Sequence, residues 1–307
     1  MAITADMVKK LREQTGAGMM DCKKALTDSN GDFDKAVTIL REKGVATAAK
    51  REARAACEGL IGCYISEDSQ IGVLVEVNCE TTFVAKTDEF GALANNIASH
   101  IGHTSPDILP CGDVQCLVEQ PYHEQPSRTV TDIINDTIAK LGEKTSVARF
   151  HRLDVGGHDH TTNGAIGSYI HMGSQIGVLV ELTCETDEVA STDGIASLAK
   201  DVAMHISWST PDYMTREEVP ADVLETEKEV NRQWAIKEGK PEQILDRIVE
   251  GRLKEFYSRV CLMDQPFIKD EAKSIRSLLE DFSKDAGEDV KIARYVRFRV
   301  GETSCDA

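Results

Sequence analysis

The side chains able to carry covalent or metal chemistry in this 307-residue chain are, first, nine cysteines (22, 57, 63, 79, 111, 116, 184, 261 and 305) and eight histidines. The cysteines are odd in number, scattered, and free of any C-x-x-C pair. Neither a disulfide framework nor a zinc site is indicated, and reduced thiols are the expectation. His158-Asp159-His160 brings two imidazoles close in sequence, but no third ligand follows at a recognisable spacing, so a solvated loop is the reading there. There is no Ser/His/Asp set, no cysteine with a histidine near it in sequence, and no pair of carboxylates at helical spacing in an apolar context, although groups far apart in sequence can still converge in space. The loop Thr15-Gly16-Ala17-Gly18 lacks the Gly-Lys-Ser/Thr end of a phosphate cradle. These residues imply a protein that works by contact, with no catalytic, cofactor or metal site of its own.

Charge narrows the partner. With 35 basic and 52 acidic residues the formal charge is −17, which repels phosphate backbones and makes a protein a better partner than nucleic acid. Basic residues cluster from Lys43 to Arg54, but interleaved alanines make that segment a helical linker. No apolar run approaches the roughly 20 residues of a membrane span. Met1-Ala2-Ile3-Thr4 leads into an amphipathic helix without a charged-then-apolar leader, so a cytoplasmic protein with no membrane partner is expected.

The residues best suited to contact lie in a stretch that occurs twice. The apolar strand Val73 to Cys79 runs into Glu80-Thr81-Thr82-Phe83-Val84-Ala85-Lys86, and Val178 to Ser191 repeats it with Glu188 where the first copy has Phe83. From Gly59 to Asp107 the chain aligns without a gap onto Gly164 to Asp212, with 27 of 49 positions identical. Each copy predicts a β-hairpin (Ile61 to Ile65 then Ile71 onward; Ile166 to Ile170 then Ile176 onward) and a helix. Phe90, Leu93, Ala94, Ile97 and Ile101 match Ile195, Leu198, Ala199, Val202 and Ile206, the three-four spacing that lays one stripe on a sheet. A helix around Ile133 to Leu141 and a strand from Val147 to Leu153 would complete the first ββα unit.

Other elements flank this core. Thr4 and Asp32 are placed to cap the first and third of three short helices, with Gly16, Gly18, Gly31 and Gly44 as punctuation. A bundle of this size resembles the ubiquitin-associated type, which presents apolar side chains from a glycine-flanked loop, here ending in Met19-Met20. Either methionine could equally fill the core. Adjacent helical positions point about 100° apart, so at most one sits fully inward.

After Pro220, apolar positions from Val223 to Ile236 and from Ile244 to Phe256 flank Gly239-Lys240-Pro241 and predict a helical hairpin, solvated or packed on a second copy of the chain. A helix (Lys273 to Asp281) and a strand (Val290 to Val300) follow. The strand's Lys291, Arg294, Arg297 and Arg299 are better suited to solvent or acidic partners than to a phosphate. The fold class is α+β. The expected domains are residues 1–44 (three-helix bundle), 45–57 (helical linker), 58–155 (first core half), 156–220 with 258–307 (second half), and 221–257 (hairpin insertion).

With these pieces placed, the sequence resembles the bacterial elongation factor Ts family. The resemblance rests on Leu11-Arg12-Glu13-Gln14-Thr15-Gly16-Ala17-Gly18-Met19-Met20-Asp21-Cys22-Lys23-Lys24-Ala25-Leu26, on Glu76 to Lys86, and on Glu250-Gly251-Arg252 with Gln265-Pro266-Phe267. It implies a nucleotide-exchange factor for the GTPase elongation factor Tu, acting on GDP, GTP and Mg²⁺ held by that partner. It further implies that Arg12, Met19, Met20 and Lys23 contact the GTPase domain, that Phe83 is an inserted wedge, and that His171 is another contact. The family commonly has Asp before the wedge, where this chain has Thr82; the extra C-terminal helix of some members does not follow the last strand. A second reading, a peptide- or ubiquitin-binding adaptor acting through the bundle, leaves the duplicated core without a task.

Overall fold

The computed structural model describes residues 3–157 and 162–302; His158-Asp159-His160 and Cys305 lie outside the described residues. The Thr4 hydroxyl accepts from the Met7 N–H and starts α1 (Ala5–Thr15), as its position predicts. Gly16 ends that helix at φ 67°, a left-handed turn that favours glycine, and the flexible end of the Lys140 side chain lies over it. α2 (Met19–Asp28) and α3 (Phe33–Arg51) follow, the second capped by Asp32. Leu11, Cys22, Ala25, Leu26 and Ala36 bury the centre of this bundle.

Gly44 does not punctuate as its type suggests, because α3 runs through it to Arg51. A Cβ at Gly44 would lie 3.3 Å from Ala139 Cβ and 3.5 Å from Asn135 O, so the missing side chain lets α3 lie close against α7 (Val130–Leu141). That packing outweighs the roughly 1 kcal/mol helix penalty of glycine. The segment expected as a linker is therefore, up to Arg51, the end of α3. The bundle shares one compact unit with the first sheet.

That unit comprises the chain up to Asp154, residues 170–179 and the stretch from Phe298; the other comprises residues 155–169 and 180–297. In the first, β1 (Glu58–Ile65), β2 (Ile71–Cys79) and β5 (Thr145–Asp154) form an antiparallel sheet in the order β1-β2-β5. Val73, Val75, Val77 and Cys79 share a cluster with α5 (Asp88–His103), whose Phe90, Leu93, Ala94, Ile97 and Ile101 are at most 3% exposed. Each large apolar side chain so buried stabilises the sheet–helix contact by about 1.5–3 kcal/mol.

The opposite face of β2 carries Glu76, fully buried. A bulge after it leaves Ala148 unmatched and sets Arg149 directly across the ladder, with Arg149 Nε 2.7 Å from Glu76 Oε2. The Gly301 N–H donates to Glu76 Oε1 at 2.8 Å. Without these partners a buried carboxylate would cost several kcal/mol.

Later in the chain the same order of elements returns. β6 (Asn163–Ile170), β7 (Ile176–Cys184) and β10 (Lys291–Arg299) form a sheet in the order β10-β7-β6, with α8 (Asp187–Ala190) and α9 (Asp193–Ser209) following the hairpin as α4 (Thr82–Ala85) and α5 follow the first. Sequence reasoning missed the short pieces α6 (Val114–Glu119), β3 (Pro121–Tyr122) and β4 (Gln125–Thr129). It also missed β8 (Pro266–Phe267) and β9 (Asp270–Ser274), which match β3 and β4 pair for pair: Pro121↔Thr129 and Tyr122↔Gln125 against Pro266↔Ser274 and Phe267↔Asp270. Glu181 repeats the buried carboxylate, accepting from Arg294 Nε and, at 2.9 Å, from the Gly156 N–H. The basic face of the last strand is in part acid-paired, since Lys291 also bonds Asp289.

Between these pieces stand α10 (Ala221–Lys237) and α11 (Glu242–Val260), joined by a turn with Gly239 at φ 70°. The apolar stripe packs on itself only in part. Asn231, Ala235, Leu245 and Val249 are the buried positions near the turn, Arg252 lies 4.0 Å over the Trp234 ring, and Val230, Ile236 and Ile244 are exposed. α12 (Ile275–Ala286) starts later than expected, capped by Ser274, and runs to Gly287. Among the described residues seven cysteines are free, but Cys57 is disulfide-bonded, which corrects the expectation of reduced thiols at that position.

Candidate partner-binding surface

The tip of the first hairpin is built from the strand outward. Cys79 ends β2 with its thiol on Thr81 O at 3.2 Å, and burial pushes that thiol up to about 11, so it stays a donor. Thr81, extended at φ −134°, caps the single turn α4 by accepting from the Val84 N–H. Thr81 is itself held: its N–H and hydroxyl donate to Glu143 at 3.0 and 2.8 Å. Val84 and Ala85 turn inward, so Thr82 and Phe83 must turn out, and the phenyl ring is 85% exposed. The structure makes this tip a capped turn of helix.

The second tip has the same parts. Cys184 donates to Thr186 O at 3.3 Å, Thr186 caps α8, and Glu288 accepts from the Glu185 and Thr186 N–H groups at 3.2 Å each. The outward side chains differ, Asp187 and Glu188 replacing Thr82 and Phe83.

The bundle presents a second surface. Met19 is 54% and Met20 73% exposed, so neither fills the core, within the expectation that at most one sits fully inward. The inward positions of α2 belong to Cys22, Ala25 and Leu26, and Ala17, buried with its carbonyl 3.6 Å from Cys22 Sγ, closes the first turn from beneath. Arg12 and Lys23 are exposed, Lys23 one turn after Met19 on the same side of α2. Thus α2 brings Met19, Met20 and Lys23 together. Thr82 and Phe83 stand on α4, and His171 lies at the exposed turn between β6 and β7, where its N–H closes on Ile176 O at 2.9 Å.

Beside His171, Met172 is 87% exposed, a contact candidate that sequence reasoning passed over. The signal was available, since a methionine stands where the first copy has Glu67. Cys111 and His151, forty residues apart, also converge, with Sγ 3.6 Å from Nδ1. No group of three or more His, Cys, Asp or Glu side chains poised for a metal occurs among the described residues, and no described helix is long and apolar enough to cross a membrane.

Known proteins resemble this chain in sequence along nearly its whole length. Residues 80–302 match the family model described as Elongation factor TS. Elongation factor Ts of Clostridium perfringens (strain SM101 / Type A) is 46% identical over 300 residues, covering 98% of this chain and 93% of its own. The Clostridium tetani protein of that name is 46% identical over 300 residues (98% and 94%). That of Trichlorobacter lovleyi is 41% identical over 302 residues (98% and 94%). The chain belongs to the elongation factor Ts family of translation elongation factors.

Proposed function

We propose that the chain binds the GTPase elongation factor Tu, favours its nucleotide-free state, and so speeds GDP release and GTP reloading without any covalent step. The observation that carries this is Phe83, a large apolar ring held out in solvent by a capped and carboxylate-anchored turn. Exposure of so large a ring has no value to the free fold and suits insertion into a partner's apolar cleft.

A factor accelerates release only by binding the empty partner more tightly than the filled one, and the coupling is reciprocal. In this reading Phe83, with Thr82 beside it, shifts the elements of Tu that hold Mg²⁺ and the phosphates. Arg12, Met19, Met20 and Lys23 grip the GTPase domain, and His171 adds a contact. Nucleotide and Mg²⁺ belong to the partner, and this chain holds no cofactor. GTP refills the site and ejects the factor.

We read the two runs of sheet and helix as a duplicated core and the three N-terminal helices as a ubiquitin-associated-like bundle, in a cytoplasmic protein with neither nucleic acid nor membrane as partner. Packing of α3 on α7 disfavours a free-standing adaptor, since the faces at Gly16 and Gly44 are occupied by the core. The outward Val230, Ile236 and Ile244 support self-association through residues 221–257. The test is release of fluorescent GDP from Tu at sub-stoichiometric protein. Release no faster than the spontaneous rate overturns the proposal.

A further inference from the structure

We infer that Glu80 is a positioning residue for exchange: its carboxylate, clasped by Arg51, Arg54 and the Lys144 backbone, fixes the direction in which Phe83 leaves the surface. The inference rests on the reading of Phe83 as the wedge. Glu80 immediately precedes Thr81, the cap of α4. Its Oε1 accepts from Arg51 Nη1 at 2.9 Å and from the Lys144 N–H at 2.7 Å, and its Oε2 accepts from Arg54 Nη1 at 2.8 Å. The arginine-bearing segment is tied back in turn, with Lys144 Nζ donating to Glu52 O at 2.7 Å and Arg54 O at 2.8 Å. Glu143, next in sequence to Lys144, takes the Thr81 N–H and hydroxyl. Residues 51–54 and 143–144 thus close around residues 80–81.

The second copy provides an internal control. Its tip keeps the thiol, the threonine cap and the anchoring carboxylate of Glu288. It lacks the clasp: Glu185 is exposed and forms no ion pair among the described residues, and Asp289, itself paired with Lys291, stands in the place of Lys144. The shared parts suffice to build the turn. Among the described residues the basic clasp occurs only on the copy whose tip carries the aromatic ring, which ties its role to what that ring does.

Two physical consequences follow. A wedge must meet its cleft in one orientation, and loss of about 1 Å of placement can cost on the order of 100-fold in rate. Arg51 is also the last residue of α3, so the clasp joins the helix that carries the bundle to the strand end that carries the wedge. The Lys144 N–H and the two guanidinium groups hold the Glu80 carboxyl down at about 2, so the clasp stays charged at any pH used for exchange.

The experiment compares the full-length parent with Glu80→Gln, the double variant Arg51→Gln with Arg54→Gln, the triple combination, and Phe83→Ala, by stopped-flow release of labelled GDP from Tu. Saturating rate and half-saturating concentration are read separately, and thermal unfolding is matched. Glu80→Gln should lower the saturating rate about 5- to 20-fold and leave the half-saturating concentration within about twofold, because the bundle contacts are intact. The triple variant should lose no more than the single one, since all three side chains act through one clasp. Hydrogen exchange of the Val84 and Ala85 amides should quicken in each clasp variant, a local readout that also serves if one variant is globally destabilised. An impaired Phe83→Ala with Glu80→Gln at the parental rate and parental Val84 and Ala85 protection overturns the clasp alone. An unimpaired Phe83→Ala overturns the wedge, and the clasp's role with it.

Discussion

Replacing Phe83 by alanine separates the proposed exchange function from the fold. The ring is 85% exposed, so its removal leaves no cavity, and α4 keeps its cap and its Glu143 anchor. If the side chain buries about 200 Å² on insertion, of which 85% is exposed beforehand, about 170 Å² of apolar surface leaves water. At about 25 cal/mol per Å² that is about 4 kcal/mol, an upper bound because the cleft must open. An effect of about 2–4 kcal/mol, roughly 30- to 1000-fold in exchange rate, is expected from stopped-flow release of labelled GDP. Glu188→Ala supplies the matched control: it sits on an equivalent capped turn, but a carboxylate entering an apolar cleft would lose its hydration. Its removal should change the rate less than about twofold. Parental exchange by Phe83→Ala together with loss in Glu188→Ala would reverse the assignment of the two tips.

Three further outcomes are expected. Met19→Ala with Met20→Ala should weaken binding to Tu by about 1–3 kcal/mol, read as a raised half-saturating concentration, while thermal unfolding stays parental because both side chains are exposed. Shortening the turn at Gly239-Lys240-Pro241 should spare exchange, and replacing Val230, Ile236 and Ile244 by serine should reduce self-association in sedimentation. Burial, then His123 and His103, push His100 down to about 4 from 6.5, and burial pushes His205 the same way. Between about pH 6.5 and 4 the unfolded chain therefore binds protons the folded chain does not; stability should be full above pH 6.5 and fall across that window, by on the order of 3 kcal/mol for His100, in urea titrations.

The elements that declared themselves in the sequence are those with local causes. Thr4 and Asp32 cap their helices by side-chain geometry within three residues, and the stripe from Phe90 to Ile101 has a period only a helix satisfies. Tertiary causes left weaker traces. Gly44 breaks helices on average, yet continues one here because Ala139 and Asn135 fill the space over it. The turn α4 is too short to show a period. Glu76 and Glu181, in otherwise apolar strands, are buried because Arg149 and Arg294 arrive from strands far along the chain.

The sequence repeat bears on why the proposed exchange should depend on one tip rather than two. In the 49-residue repeat of strand, turn and helix, both tips have what the backbone requires: a threonine cap, a thiol donating two residues on, and an acid from the segment beyond the later helix. Those parts place Phe83 and Glu188 alike, so they cannot distinguish them. The distinction comes from residues outside the repeat's own hydrogen-bonded frame, the outward side chain itself and the arginines at the end of α3. The second tip keeps the same turn while presenting carboxylates to water, a surface that an apolar cleft would reject. Moving the aromatic ring alone to the second tip, by Glu188→Phe in a Phe83→Ala background, should therefore restore little exchange, since a ring there stands on a turn with no such clasp among the described residues. Recovery to within about threefold of the parent in labelled-GDP release would mean that the ring suffices wherever the turn is built.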